Sequence, residues 1–235
     1  MELRLEHKAA FLRNSELFRN LPDEAVTQLA AETSRRSYPA GSLLVRKGEP
    51  GDSMLVVITG RVKITAVSPR GTELLLNIIQ PGQVFGEMAL LDGLERCADA
   101  TAMLDTEVLV LGRASFERFL RRSPDQAIVM MRVLCERIRK TTRLAEDTVF
   151  LPLPMRLFRR LQDLAELSGR KDPDGLRIEH GLSQQELAES VASTRETVNR
   201  VLSSWQQREL VSIARGSLTI RDLGGLAEAA SLSES

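Results

Sequence analysis

At 235 residues, with 43 % apolar and 27 % charged side chains, the chain can bury a full core without disulfide or metal staples, in one large domain or two. Net charge is zero, and from Met155 onward basic and acidic residues nearly balance, so composition gives no support for a nucleic-acid partner and local placement has to. Apolar runs such as Met54–Ile58 are too short to span a bilayer, no apolar leader follows Met1-Glu2-Leu3-Arg4, and neither Cys97 nor Cys135 sits in a CxxC pair. The expectation is a cytoplasmic protein with no membrane partner, disulfide frame, structural zinc or four-cysteine iron–sulfur cluster.

Leu17–Ala31 reads as a helix, with Pro22 in its first turn and Asp23 and Glu24 near the positive end of the dipole. From Ser42 to Gly112 short apolar stretches recur: Leu43–Val45, Met54–Ile58, Val62–Val67, Glu73–Ile79, Ala100–Met103 and Val108–Leu111. Glycine and proline turns at Gly48–Asp52, Gly60, Ser68–Gly71 and Pro81-Gly82 separate most of them, which predicts an all-β roll or barrel. Helices take over with Ser115–Arg122 and, after Pro124, a long helix from about Asp125 to Thr148. Along it Ile128, Met131, Cys135, Ile138, Thr142, Ala145 and Val149 alternate at spacings of three and four, a coiled-coil seam whose simplest partner is the same helix of a second subunit. The alternative is an amphipathic helix docked on its own β-domain.

Leu151-Pro152-Leu153-Pro154 breaks that helix and predicts a hinge. A helix over Met155–Ser168 should end at Gly169 as a C-terminal cap, before an exposed polar loop, Arg170–Gly175. Ser183-Gln184-Gln185-Glu186 is a capping-box pattern opening a helix with Leu187, Ala188 and Val191 as its apolar positions. Ser193-Thr194-Arg195-Glu196 repeats it and opens a second helix through about Gln207, with Val198, Val201, Leu202 and Trp205 as its buried stripe. Two short helices at a tight turn predict a helix-turn-helix. Arg195, Glu196, Asn199 and Arg200 share the opposite face near the second helix's start. There an Arg can fork onto guanine and a carboxylate can accept from cytosine. Glu196–Arg200 pairing, with Glu196 closing the capping box, is the plainer reading of the same residues. Val211–Ala214, Arg215-Gly216 and Ser217–Arg221 read as a hairpin wing. Ser183, Gln185, Thr194 and Thr197 stand at helix starts, where they can take DNA phosphates. Ala229–Ser235 reads as disordered by composition.

Phe85-Gly86-Glu87-Met88-Ala89-Leu90-Leu91-Asp92-Gly93 runs from a strand end into a helical turn, followed by Arg96-Cys97-Ala98. A glycine at a helix start with an arginine ten residues on can hold a phosphate between free N–H groups and a guanidinium. Glu87 can instead accept from a ribose hydroxyl, and a plain Glu87–Arg96 salt bridge accounts for the pair equally well. These residues resemble the phosphate-binding cassette of cyclic-nucleotide-binding domains. Arg195-Glu196-Thr197-Val198-Asn199-Arg200 resembles the recognition helix of the cyclic-AMP receptor protein / fumarate-nitrate regulator (CRP/FNR) family of transcription regulators. A member of that family is among the standard helix-turn-helix examples.

The resemblance covers nearly the whole chain and implies an α+β architecture. Residues 1–124 would be an N-terminal jelly-roll-like β-roll for the nucleotide, 125–150 the dimerisation helix, and 151–235 a C-terminal winged helix-turn-helix. It also implies roles. Glu87 would hold the ribose 2′-hydroxyl and Arg96 the cyclic phosphate, with Gly86, Met88 and the amides of Cys97 and Ala98 completing the site. Thr141 would touch the purine from the same subunit and Thr142 from the partner, and Ile64 and Leu76 would wall the pocket. Arg195, Glu196 and Arg200 would read TGTGA-type half-sites in duplex DNA. Cyclic AMP or cyclic GMP would be the allosteric ligand of a homodimer, with RNA polymerase a further partner and no metal. Threonine donates and accepts, so it fits either purine. Many family members have Ser where Cys97 stands, which puts a side-chain phosphate contact in doubt and opens redox sensing at Cys97. Haem sensing has no support from the placement of His7 and His180. No nucleophile–base pair, metal cluster or phosphate loop suggests an enzyme.

Overall fold

Five consecutive buried side chains, Met54 to Ile58, mark a strand covered on both faces, and the N-terminal part of the protein is built around it. The computed structural model describes residues 4–69, 71–179, 181–214 and 216–232. Arg70, His180 and Arg215 of the expectations above, with Ser233–Ser235, lie outside the described residues. Helices α1 (Leu5–Arg13) and α2 (Asp23–Ala31) lead into strands β1 (Thr33–Tyr38), β2 (Leu43–Val45), β3 (Ser53–Thr59), β4 (Val62–Val67), β5 (Glu73–Ile79) and β6 (Val84–Phe85). Then come α3 (Glu87–Asp92), β7 (Asp99–Ala102), β8 (Thr106–Gly112), α4 (Arg113–Arg122) and the long α5 (Asp125–Phe150). Contacts divide the chain into two compact units, Met1–Thr72 with Leu76–Lys140 and Glu73–Leu75 with Thr141–Ser235.

In the first unit two four-stranded sheets, ordered β1-β8-β3-β6 and β2-β7-β4-β5, form the roll. Leu55 and Val57 of β3, with Val108 and Val110 of β8, meet Val62, Ile79, Phe85 and Ala100 between the sheets. The alternate residues Met54, Val56, Ile58, Leu109 and Leu111 face the other way, onto Leu12, Phe18, Val26, Leu29, Phe116, Phe119 and Met130 from the helical segments. Burial on both faces is why the run is continuously apolar rather than alternating. Phe18 and Phe119 close this layer edge to face at 5.5 Å.

The second unit contains α6 (Leu153–Ser168), β9 (Gly169–Asp172), β10 (Gly175–Ile178), α7 (Gln184–Glu189), α8 (Arg195–Gln207), β11 (Val211–Ala214), β12 (Ser217–Ile220) and α9 (Leu223–Ser231). Its sheet runs β11-β12-β10-β9, antiparallel throughout. Leu157, Leu161, Ile178, Leu187, Val198, Leu202, Trp205, Leu218 and Leu226 are buried in it. The mixed α+β architecture of a β-sheet domain, a long helix and a C-terminal helix-turn-helix is as expected.

Several elements differ from expectation. The helix expected from Leu17 starts at Asp23, because Pro22 is extended (ψ 147°) and acts as the N-cap. Leu17, Phe18 and Leu21 are buried anchors in the turn before it. Gly169 caps α6 at the expected position, its amide donating to the Ala165 carbonyl, though not in left-handed backbone. It is extended and opens β9, and a Cβ there would lie 2.3 Å from the Ala165 carbonyl oxygen. The loop expected over Arg170–Gly175 is a hairpin in which Arg170 faces Arg177 across the β9–β10 ladder. Ala229 and Ala230, expected to be disordered, are buried residues of α9, whose start Asp222 caps through the Gly225 amide. Strand β1 escaped notice because Thr-Ser-Arg-Arg-Ser-Tyr is polar. It is an edge strand, with Arg35 paired to Glu107 of β8.

Candidate nucleotide and nucleic-acid sites

Strand β6 delivers the chain to Gly86, which turns it left-handed (φ 79°) into α3. A side chain at Gly86 would put its Cβ 2.6 Å from the Arg96 guanidinium, so glycine is required twice, for the turn and for the approach. Glu87 follows with 1 % of its surface exposed, and Arg96 with 7 %. The two do not pair. Arg96 donates from Nη1 to the Gly86 carbonyl (2.7 Å) and from Nη2 to Ser53 Oγ (3.2 Å). Burial lowers its pKa, and Asp52 and Glu87 nearby act in the opposite sense. The guanidinium remains charged.

Glu87 is paired with Arg137 of α5 through Oε1, and Arg137 also donates to the Val84 carbonyl. Glu87 Oε2 is buried with no hydrogen-bond partner. A buried carboxylate oxygen without a donor is costly and marks a place for one. Among the described residues, neither the Cys97 nor the Ala98 amide donates to a protein group. One loop thus offers a guanidinium and two open N–H groups to an anion, while the helix start offers an acceptor to a hydroxyl. Arg113 holds this cassette from behind, donating to the carbonyls of Leu90 (2.6 Å), Ala89 and Gly51 (2.8 Å each). Gly51 lies so close that a Cβ would meet Ala89 Cβ at 2.2 Å.

Met88 and Cys97 are exposed, with their sulfurs 3.8 Å apart. Ala98 is buried, and Ile64 and Leu76 are half-buried on β4 and β5. Thr141 and Thr142 are exposed on α5, the first of them one turn beyond Arg137. Sequence reasoning missed Arg137, Arg113 and Ser53. Arg137 was legible only as one of several charges on a long helix, and nothing in the spacing tied it to Glu87.

In the second unit Ser183 caps α7 in a complete capping box: Ser183 Oγ accepts from the Glu186 amide (3.1 Å), and Glu186 accepts from the Ser183 amide (2.8 Å). The expected second box at Ser193 does not form. Thr194 is the N-cap of α8, accepting from the Thr197 amide at 3.3 Å, which leaves Glu196 outside any cap. Among the described residues no ion pair joins Glu196 to Arg200. Arg195, Glu196 and Arg200 are exposed and Asn199 half-exposed on the face opposite buried Val198, Leu202 and Trp205. Gln185 is tied to Glu189 (2.9 Å), and the Ser183 and Thr194 hydroxyls are engaged in caps, so their helix starts rather than these side chains are open. The turn between α7 and α8 places Ala192 at φ 51°, with its carbonyl facing Arg156 at 3.5 Å. The wing hairpin bends back so that the Gly216 carbonyl accepts from the Gly181 amide (3.0 Å), beside the start of α7.

Comparison with known proteins identifies the family of each region. Residues 35–123 match the family described as cyclic nucleotide-binding domain, and residues 155–229 match the Crp-like helix-turn-helix domain. The chain is 31 % identical over 219 residues to the CRP-like cAMP-activated global transcriptional regulator of Mycobacterium tuberculosis (strain ATCC 25618 / H37Rv), covering 93 % of this chain and 98 % of that one. It is also 31 % identical, with the same coverage, to the cyclic AMP receptor protein of Thermus thermophilus. The solved structure of CLP, the c-di-GMP responsive global regulator of Xanthomonas campestris, superposes with a TM-score of 0.76 at 26 % identity over 86 % of this chain and all of that one. The chain belongs to the CRP/FNR family of DNA-binding transcription regulators, with a cyclic nucleotide-binding domain and a Crp-like helix-turn-helix.

Proposed function

We propose that this protein is a cyclic-nucleotide-responsive regulator that binds cyclic AMP or cyclic GMP in the cassette and duplex DNA through α8. The observation that carries the reading is the orphaned, buried Glu87 Oε2 standing with Arg96 and the open Cys97 and Ala98 amides. An acceptor for a hydroxyl next to a cation and N–H donors for a phosphate matches a ribose cyclic phosphate. Gly86 and Met88 open the helical turn that frames it, and Ile64 and Leu76 supply apolar wall. The purine contacts of Thr141 and Thr142 rest on the family resemblance.

The protein acts as a homodimer in this reading. Every residue of the α5 seam, from Ile128 to Val149, is exposed in the single chain, and a partner helix would cover that apolar stripe. Residues 1–124, 125–150 and 151–235 then serve nucleotide binding, dimerisation and DNA binding, in the cytoplasm and alongside RNA polymerase. On DNA, Arg195, Glu196, Asn199 and Arg200 read bases of a palindromic TGTGA-like site. The helix starts at Ser183, Gln185, Thr194 and Thr197 sit on phosphates. The nucleotide acts by binding one of two dimer states more tightly.

Calorimetric titration with cyclic AMP and with cyclic GMP tests the ligand. Saturable binding of either, lost in Arg96→Ala, is the expected result. Heat-silent titrations with both nucleotides would overturn the nucleotide half of the reading.

A further inference from the structure

Arg137 touches two carboxylates, and only one of them belongs to the cassette. The second is Glu16, in the turn before α2, whose Oε1 lies 3.8 Å from Arg137 Nη2. The same oxygen accepts from the Val84 amide at 3.4 Å, while Arg137 donates to the Val84 carbonyl. Glu16 and Arg137 therefore grip both polar groups of one residue. That residue belongs to β6, the two-residue strand that runs straight into Gly86 and Glu87. The Glu16 backbone is docked there as well. Its amide donates to the Gly82 carbonyl (3.0 Å), and Gly82 has no Cβ where one would come within 2.9 Å of the Asn14 carbonyl oxygen.

We propose that Glu16 is a positioning residue of the nucleotide site, holding β6 and Arg137 so that both aim Glu87, and that it does so at the expense of the stability of the unliganded protein. The proposal rests on the nucleotide reading of the cassette. A half-buried carboxylate is a poor choice for stability alone. Burial pushes the Glu16 carboxyl above its ordinary range. The Val84 amide and Arg137 oppose that shift, while Glu136 and Glu87 add to it. A carboxyl whose pKa is raised by folding favours the folded state when protonated, so stability falls as pH rises through its folded value. The ionised side chain works against folding, and positioning is what it supplies in return. The charged groups around it are Glu87 of α3 and Glu136, Arg137 and Lys140 of α5, with the amides of Asn77 and Gln83 lining the same small cavity. Lys140 is occupied by Glu136 at 2.9 Å, which leaves Arg137 as the cation Glu16 can hold.

The test compares the full chain with Glu16→Gln, which keeps an acceptor for the Val84 amide and loses the charge on Arg137. Three readouts are taken: thermal unfolding without ligand, amide hydrogen exchange over residues 84–90 without ligand, and titration with cyclic AMP and cyclic GMP between pH 5 and 8. Expected are a Tm at or above that of the parent protein at pH 7, faster exchange at residues 84–90, and nucleotide affinity lower by about fivefold. The parent's affinity should weaken on acidification as Glu16 takes up its proton. The variant lacks that step. Unchanged exchange in residues 84–90 overturns the proposal, as does a loss of affinity matched by a lowered Tm and faster exchange throughout. If neither nucleotide binds either protein, the nucleotide reading fails on its own, and the exchange measurement still decides whether Glu16 positions Glu87.

Discussion

The cassette and the recognition helix both carry arginine and glutamate within a few residues of one another, yet they treat those charges in opposite ways. Glu87 and Arg96 are almost wholly buried and held by protein groups, Arg137 on one and Gly86 and Ser53 on the other. Arg195, Glu196 and Arg200 stand in solvent, and their neighbours are caps and buried apolar residues rather than counter-ions. A small ligand is enclosed, so its binding groups are desolvated in advance and fixed before it arrives. In the proposed reading DNA is too large to enclose, so the groups that would read it stay hydrated until contact, and the surrounding helix supplies the order.

Substitutions should separate these two strategies. Arg96→Ala removes a buried cation with two acceptors left behind, and nucleotide affinity should fall by about a hundredfold, with some loss of Tm, in calorimetry and thermal unfolding. Arg195→Ala should leave folding untouched and weaken DNA binding by about 1–3 kcal/mol, with relaxed preference at one base position in a competition series. A loss uniform across DNA sequences would make Arg195 a phosphate contact instead. Ser183→Ala breaks the capping box of α7 and should lower stability by about 1 kcal/mol in denaturant titration while sparing nucleotide affinity. The smallest effect lies away from both sites. Glu32 accepts from Arg118 at 2.6 Å, and the neighbouring Ser115 hydroxyl and Arg118 hold its carboxyl below the usual range. Its contribution is present above the ordinary carboxylate pKa and disappears as pH falls through the lowered folded value. The pair is exposed, so Glu32→Gln should cost under about 1 kcal/mol at pH 7.

Local chemistry was legible where one stretch of chain carries it. The strands Val62–Val67 and Glu73–Ile79, the capping box at Ser183 and the wing strand Val211–Ala214 are set by neighbouring residues and stand in the structure at the expected positions, while the second wing strand, expected over Ser217–Arg221, ends one residue earlier at Ile220. The partners of the buried charges were not legible. Glu87 meets Arg137 fifty residues on and Arg96 meets Ser53 forty-three residues back, contacts made only once the roll has folded. The same holds for β1, a polar edge strand whose place depends on Glu107 and the rest of β8. Gly169 stands at the expected cap position, but its backbone conformation was not legible. A glycine after a helix is usually a left-handed cap, but here close packing on Ala165 requires it.

The central claim is that the cassette controls the recognition helix, and fluorescence anisotropy with a palindromic TGTGA-type duplex tests it most directly. The full chain is titrated onto the DNA without nucleotide, with cyclic AMP and with cyclic GMP, beside Arg96→Ala. Tighter binding with one nucleotide, absent from the variant, is the predicted result. DNA binding that neither nucleotide changes, identical in the parent and the variant, would contradict it.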